Sequence, residues 1–320
     1  VLFAALRGKN SDGHAYMAQA ARSGALAVLA EEAPEEIGIP VILTADTGKA
    51  LKDLAAYYLD QLQIPTVGII GSAGKTSTKE MTAQVLAQKY RVLKTEGNFN
   101  NELGVPLTIF RIRDEDEIAV IEMGINHFGE MDRLGRVVRQ DSVIMTNIGT
   151  AHLEFLGSRE GILQAKSEVF AHMGPDSCAI LNADDDMLAS VKEVQGNIPV
   201  RYGIEDPNAD VRAEEVISLG LEGMRFVLCM DGLREEVVVP SPGLHSVHNA
   251  LAGAACGRRY GLTIEQIAEG IRHYQGLPGR ERVIRTEKYT VIDDAYNANP
   301  SSMMESLTTL PSAQGRRVAI

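Results

Sequence analysis

A chain of 320 residues has room for two or three domains, and 45% apolar content lets it bury large cores. A net charge of −12 with no block of Lys or Arg excludes a nucleic-acid surface. Cys178, Cys229 and Cys256 lack metal or disulfide spacing, and no apolar run reaches the ~18–20 residues of a membrane span, so a reducing, cytoplasmic setting without membrane insertion is expected.

Residues 1–63 alternate strands (1–6, 25–30, 39–43) with helical stretches (about 14–23 and 47–62), a small α/β unit. It starts at Val1 without an initiator methionine, and both ends are expected to be cut. Ser11-Asp12-Gly13-His14 is a polar loop after a strand, as readily a plain turn as a ligand loop. Gln63-Ile64-Pro65 marks the junction to a second domain, expected over 64–280.

That domain opens with a strand at 66–70, the loop Gly71-Ser72-Ala73-Gly74-Lys75-Thr76-Ser77, and a helix at 76–89. Strand, glycines, Lys-Thr and helix in this order form a phosphate cradle: glycines let backbone N–H groups face an anion, Lys75 reaches the terminal phosphates and the Thr76 hydroxyl reaches Mg²⁺. Ile69 stands where the eight-residue pattern has its first glycine, so the match is to the shorter G-x-x-G-K-[ST]; an ATP or GTP site is expected.

Strands at 91–94, 118–122, 142–146 and 177–182 then alternate with helices at 101–111, 129–139 and 159–173. Their continuous apolar runs indicate a doubly wound parallel sheet, an α/β fold whose ligands sit beyond the carboxyl ends of the strands. Glu122 and His152 fall on that rim, where a carboxylate and an imidazole suit a Mg²⁺ site. Lys166 lies within the stripe of Ile162, Leu163, Val169 and Phe170; it either points inward at a cost that something must use, or snorkels off the edge. Asn182-Ala183-Asp184-Asp185-Asp186 reads as rim carboxylates or as a solvated turn. Short alternating segments at about 198–203, 224–230 and 234–239 suggest an antiparallel extension.

A helix opening within 242–249 runs to about Tyr260, and another covers 264–274. Leu277-Pro278-Gly279-Arg280 is the next boundary, followed by a strand at 289–292, a helix at 301–310 and a strand at 317–320. One such unit cannot bury both faces, so a third domain, 281–320, is expected to be truncated and to need roughly 100 more residues.

The segments GSAGKTSTKEM (71–81), EGNFNNELGVPLT (96–108), EMGINHFGEM (122–131), TNIGTAHLEFLGSREGILQAKSEVF (146–170), LNADDD (181–186), GLHSVHNALA (243–252), LPGR (277–280) and VIDDAYNANPSSM (291–303) resemble the Mur ligase family. GNFNNE with DDAYNANP is similar to its members that add D-alanyl-D-alanine. The resemblance implies three domains: an N-terminal one for the UDP-sugar, a central P-loop ATPase and a C-terminal Rossmann-like one. It implies a monomeric ligase of peptidoglycan precursor synthesis that uses ATP and two Mg²⁺ to join D-alanyl-D-alanine to UDP-N-acetylmuramoyl tripeptide through an acyl phosphate.

By the same resemblance Lys75, Lys166 and His152 are catalytic, and Thr76, Glu122, His152 and Lys166 belong to the metal sites, Lys166 as a carbamate. Residues 71–77, Asn249, Arg280, Asp294 and Asn297 face ATP, with Ser246 standing where the family has an earlier asparagine. Asn100 and Asn101 face the muramyl substrate, and Asp12 and His14 lie in the loop on the UDP side. A sibling ligase adding one amino acid and a non-catalytic nucleotide-binding protein are the alternatives.

Overall fold

The computed structural model describes the chain except residues 35, 152, 281, 297–302, 305–306, 308–317 and 319–320. β1 (Leu2–Ala4), α1 (Met17–Arg22), β2 (Ala27–Ala30) and β3 (Val41–Leu43) build a small parallel sheet in the order β1-β2-β3. Its core is Ala5, Met17, Val28 and Ala30. α2 (Thr47–Leu62) follows, started by the Asp46 carboxylate, which accepts from the Lys49 amide, and stopped at Gln63 in a left-handed conformation just before Pro65. Ala55 and Leu59 of α2 turn away from the small sheet into the core of the large one.

The large sheet is entered at β4 (Thr66–Ile70), followed by α3 (Lys75–Leu86), β5 (Val92–Lys94), α4 (Gly104–Ile109), β6 (Ile118–Glu122), α5 (Glu130–Val138) and β7 (Ser142–Met145). It continues through α6 (Leu153–Leu156), α7 (Arg159–Ser167), β8 (Cys178–Asn182), α8 (Asp186–Ala189), β9 (Val200–Gly203), β10 (Val211–Ser218), β11 (Met224–Met230) and β12 (Leu233–Val239). α9 (Leu244–Arg259) and α10 (Ile264–Arg272) cover one face, and the hairpin β13 (Arg282–Arg285) and β14 (Thr290–Asp293) comes last.

The strand order is β12-β11-β10-β9-β8-β7-β4-β6-β5. Side chains alternate between the faces as a strand requires: Ile118 and Val120 join the core under α3, α9 and α10, while Ala119 and Ile121 join the core under α2, α4, α5 and α7. Burying each such aliphatic side chain contributes about 1.5–3 kcal/mol. The approach of α10 to α3 depends on Gly270, where a Cβ would lie 2.6 Å from the Val85 Cα. The chain crosses over at β4, which lies between β7 and β6, and this opens the crevice that holds the site.

Four expectations change. Residues 200–203 pair parallel to β8, so the antiparallel part of the one mixed sheet begins only at β11. β10 lay hidden because its polar Glu214, its exposed Glu215 and Ser218, and the register shift between Glu214 and Ile217 break the apolar alternation. The helix over 159–173 tightens into a 3₁₀ turn at Glu168–His172. The last segment contains β13 as well as the anticipated strand, while the helix at 301–310 and the strand at 317–320 lie largely outside the described residues.

Candidate active site

β4 is buried along its whole length, so the loop after it starts from a fixed point. At Gly71, with φ +147, a Cβ would lie 1.9 Å from the Thr146 hydroxyl, and Gly74 caps α3 at φ +75; both positions demand glycine. Among the described residues, none accepts from the amides of Lys75, Thr76 or Ser77, which form the first turn of α3. Donors and dipole together make this helix end a seat for an anion.

Lys75 Nζ turns back on the loop and donates to the carbonyls of Gly71 at 2.9 Å and Ser72 at 3.4 Å. Burial pulls its amine below the ordinary lysine value, with Glu122 opposing and Arg280 adding to the shift. From α7, Lys166 Nζ donates to the same Gly71 carbonyl at 3.0 Å. Lys166 is 3% exposed, so the inward reading is the one the fold adopts. Burial first, and repulsion from Lys75 second, lower its pKa to about 7.

Glu122 ends β6 against this loop and is 1% exposed. Its Oε1 accepts from Asn100 Nδ2 at 2.8 Å and from the Thr76 hydroxyl at 3.4 Å. Its Oε2 is buried without a hydrogen-bond partner, the Lys79 ammonium lying 4.0 Å away. Lys79 was missed by the sequence reading. It is buried behind Glu122, donates to the Thr95 carbonyl at 2.7 Å and pairs with Glu80 at 3.0 Å. It lies four residues beyond Lys75, on the same side of α3 one turn later, a spacing that by itself does not tell a buried lysine from a solvated one.

The remaining candidates divide. Arg280 Nη2 donates to the Thr76 hydroxyl at 3.3 Å, and its guanidinium stacks 4.4 Å over the Tyr296 ring. Asn249, from α9, accepts from the Thr78 hydroxyl at 2.8 Å, so it lies beside the phosphate helix. Ser246 is turned into its own helix start, donating to the carbonyls of Ser241 and Gly243. The Ser72 hydroxyl is buried without a partner. Asn101 spends its Oδ1 on the amides of Leu103 and Gly104 and thereby starts α4.

Asp12 and His14 lie in the small sheet's lobe: His14 Nδ1 meets Asp12 Oδ1 at 2.6 Å and His14 Nε2 accepts from the Glu31 amide at 2.9 Å. Asp294 follows β14 next to Asp293, whose carboxylate accepts from the Gly279 amide. His152 and Asn297 lie outside the described residues. The acids of 184–186 lie in a turn, where each has a partner within the chain and only Asp186 is exposed. Asp184 accepts from the amides of Ile204, Glu205 and Asp206, Asp185 starts α8, and Asp186 pairs with Arg159.

Comparison with known proteins names the family of this chain. The family description Mur ligase middle domain matches residues 69–257. The UDP-N-acetylmuramoyl-tripeptide--D-alanyl-D-alanine ligase of Escherichia coli (strain K12) is 37% identical over 321 residues, covering 100% of this chain and 71% of that protein. This chain belongs to the Mur ligase family.

The ligase of the same name from Bacillus subtilis (strain 168) is 38% identical over 98% of the chain and 68% of its own length. Among solved structures, MurF from Acinetobacter baumannii superposes with a TM-score of 0.91 at 36% identity, over 97% of this chain and 68% of that one. MurF ligase from Thermotoga maritima, in complex with ADP, gives 0.87 at 30% identity, over 97% and 71%.

In this Mur ligase the buried residues fit a hard divalent cation. The Glu122 Oε2, without a hydrogen-bond partner, and the Thr76 hydroxyl beside Oε1 are oxygen donors of the kind that Mg²⁺ takes. Among the described residues no group of three His, Cys, Asp or Glu converges, so the remaining ligands would come from the substrate, solvent or residue 152. No described helix is long and apolar enough to cross a membrane.

Proposed function

We propose that this Mur ligase joins D-alanyl-D-alanine to UDP-N-acetylmuramoyl tripeptide at the expense of ATP, in peptidoglycan precursor synthesis. The observation that carries this reading is the convergence of Lys75, Lys166, Thr76 and Glu122 at the end of β4, in a chain whose relatives bear that name. The protein acts in the cytoplasm as a monomer, with residues 1–63, 64–280 and 281–320 belonging to its three domains.

The first step brings a carboxylate to an already anionic triphosphate, so its main obstacle is repulsion. Lys75 and the first-turn amides of α3 hold the phosphates, Arg280 adds a second cation beside Thr76, and Asn249 flanks the nucleotide. Asp294 and Asn297 take the ribose, while Asn100 and Asn101 line the muramyl side and Asp12 and His14 the UDP side. Thr76, Glu122, His152 and Lys166 would hold two Mg²⁺, which would supply charge neutralisation at the phosphates.

The tripeptide's terminal carboxylate oxygen attacks the γ-phosphorus and the bond to ADP breaks, leaving an acyl phosphate. The dipeptide amine then attacks the acyl carbon, sheds a proton, and phosphate departs with the bonding pair. Lys166 serves this site as a carbamate. With a pKa of about 7 a large share of its amine is neutral near pH 7, and that form adds to the carbon of CO₂ and loses a proton to become an anion.

A coupled phosphate-release assay on the full protein tests the reading. Phosphate is expected only when the nucleotide tripeptide and D-alanyl-D-alanine are both present, and single amino acids should not replace the dipeptide. Rapid ATP hydrolysis with neither present would refute it.

A further inference from the structure

The phosphate loop is short, because Ile69, where a longer loop would have a glycine, is a fully buried strand residue. Its shape therefore has to be imposed from outside, and one side chain does so. Asn147, just past β7, meets two consecutive loop amides: the Ser72 amide donates to its backbone carbonyl at 3.0 Å, and the Ala73 amide to its Oδ1 at 2.9 Å. Its Nδ2 returns a hydrogen bond to the Ala73 carbonyl at 3.2 Å, which also accepts from the neighbouring Thr146 hydroxyl at 2.6 Å.

The brace is itself fixed. The next residue, Ile148, donates its amide to Asp185 Oδ2 at 2.8 Å, and its carbonyl accepts from Arg159 Nε at 3.0 Å. Arg159 in turn pairs with Asp186. The acids of the 184–186 run thus find a purpose that composition did not disclose: two of them anchor the segment that shapes the loop.

We infer that Asn147 is a positioning residue for the phosphate loop, setting Ser72 and Ala73 so that the amides of Lys75, Thr76 and Ser77 face a nucleoside diphosphate or triphosphate. The inference rests on the loop's being the nucleotide site proposed above. The division of labour is visible in the donors. Those of 72–73 are held by Asn147, and those of 75–77 have no acceptor among the described residues. Without the carboxamide the Ala73 peptide can rotate, and the ordering lost before binding must then be supplied by the ligand.

Titration calorimetry of the full protein with ADP and Mg²⁺, beside thermal unfolding without nucleotide, tests this. Asn147→Ala should weaken ADP by about tenfold, the worth of one or two such hydrogen bonds, while the unliganded midpoint moves by only a few degrees. In steady state the KM for ATP should rise with kcat largely retained. Asn147→Asp keeps an acceptor for Ala73 but places a negative charge beside the loop, so it should bind ADP still more weakly, and it carries the test if the alanine variant does not fold.

Unchanged ADP affinity in Asn147→Ala would overturn the inference. So would tighter binding, since Asn147 would then be competing with phosphate for the two amides. Failure of the wild-type protein to bind ADP would instead overturn the reading of the loop as a nucleotide site.

Discussion

Lys75 and Lys166, carried by different helices, donate to a single acceptor, the Gly71 carbonyl, at 2.9 and 3.0 Å. Two ammonium groups around one oxygen repel each other in a buried setting, and after burial itself the charge of Lys75 lowers the hold of Lys166 on its proton. Converting Lys166 to an anion would turn that repulsion into attraction. Lys166→Ala is accordingly expected to abolish ligation, and addition of a short carboxylic acid to restore part of it, measured as coupled phosphate release. Full activity in the unrescued variant would exclude the carbamate.

The same lysine gives a signature in stability. Its folded-state pKa of about 7 lies below the value of 10.5 for a free lysine, so between those pH values the unfolded chain holds a proton that the folded chain has lost. Stability from this group therefore rises as pH increases from 7 toward 10.5. Urea unfolding of the unmodified wild type, kept free of CO₂, and of Lys166→Met at pH 7 and pH 9 should show the wild type gaining on the variant at the higher pH.

Lys75→Ala removes the cation nearest the loop carbonyls. The loss of one electrostatic donor at a reacting phosphate costs on the order of 3–4 kcal/mol, or about 10²–10³ in kcat. Single-turnover phosphate release separates this from weaker nucleotide binding. A rate within a few-fold of wild type would remove Lys75 from the phosphoryl step.

Gly71→Ala drives a methyl group to within 1.9 Å of the Thr146 hydroxyl. Relief requires moving β7's end or the loop, at a cost of about 1–3 kcal/mol. The variant should unfold at lower denaturant and bind ADP more weakly, and adding Thr146→Ala should recover part of the stability. No recovery would mean that backbone conformation at φ +147, and not the contact, makes glycine necessary here.

Asp184 secures the turn after β9. Burial alone would raise its pKa, but the hydrogen bond from His248 and the amides of Ile204 and Glu205 outweigh burial and hold it at about 2. A lowered carboxyl pKa stabilises the fold above the free value of 3.8, and this is lost as pH falls from there toward 2. Asp184→Asn should destabilise the protein at pH 7 by about 1.5–3 kcal/mol, the range for hydrogen bonds to a charged group. The difference from wild type should shrink as the pH is lowered toward 2, measured by denaturant unfolding.

Much of the site was legible because it follows a positional rule. Glu122 was found from its place at a strand end, and the Gly71 to Ser77 loop from the order strand, glycine, Lys-Thr, helix. Lys79 was not, since a lysine on a helix ordinarily reaches solvent, and only the fold places Thr95, Glu80 and Glu122 around it. Asp184 was illegible for a related reason: its partners are amides of a turn twenty residues later, and amides carry no sequence signal. β10 escaped because an edgeward strand with exposed charges loses the alternation that identifies its buried half.

α2 belongs to both sheets. Its first amide, at Thr47, is held by Glu31 just beyond β2, while Ala55 and Leu59 further along are locked under the large sheet, where Lys52 also reaches Glu102. The sixteen-residue helix thus ties the two sheets together, through Thr47 at its start and through Ala55 and Leu59 further along. A substitution at Glu31 would therefore free the Thr47 amide and loosen the start of α2 from the small sheet, while Ala55 and Leu59 stay packed under the large one.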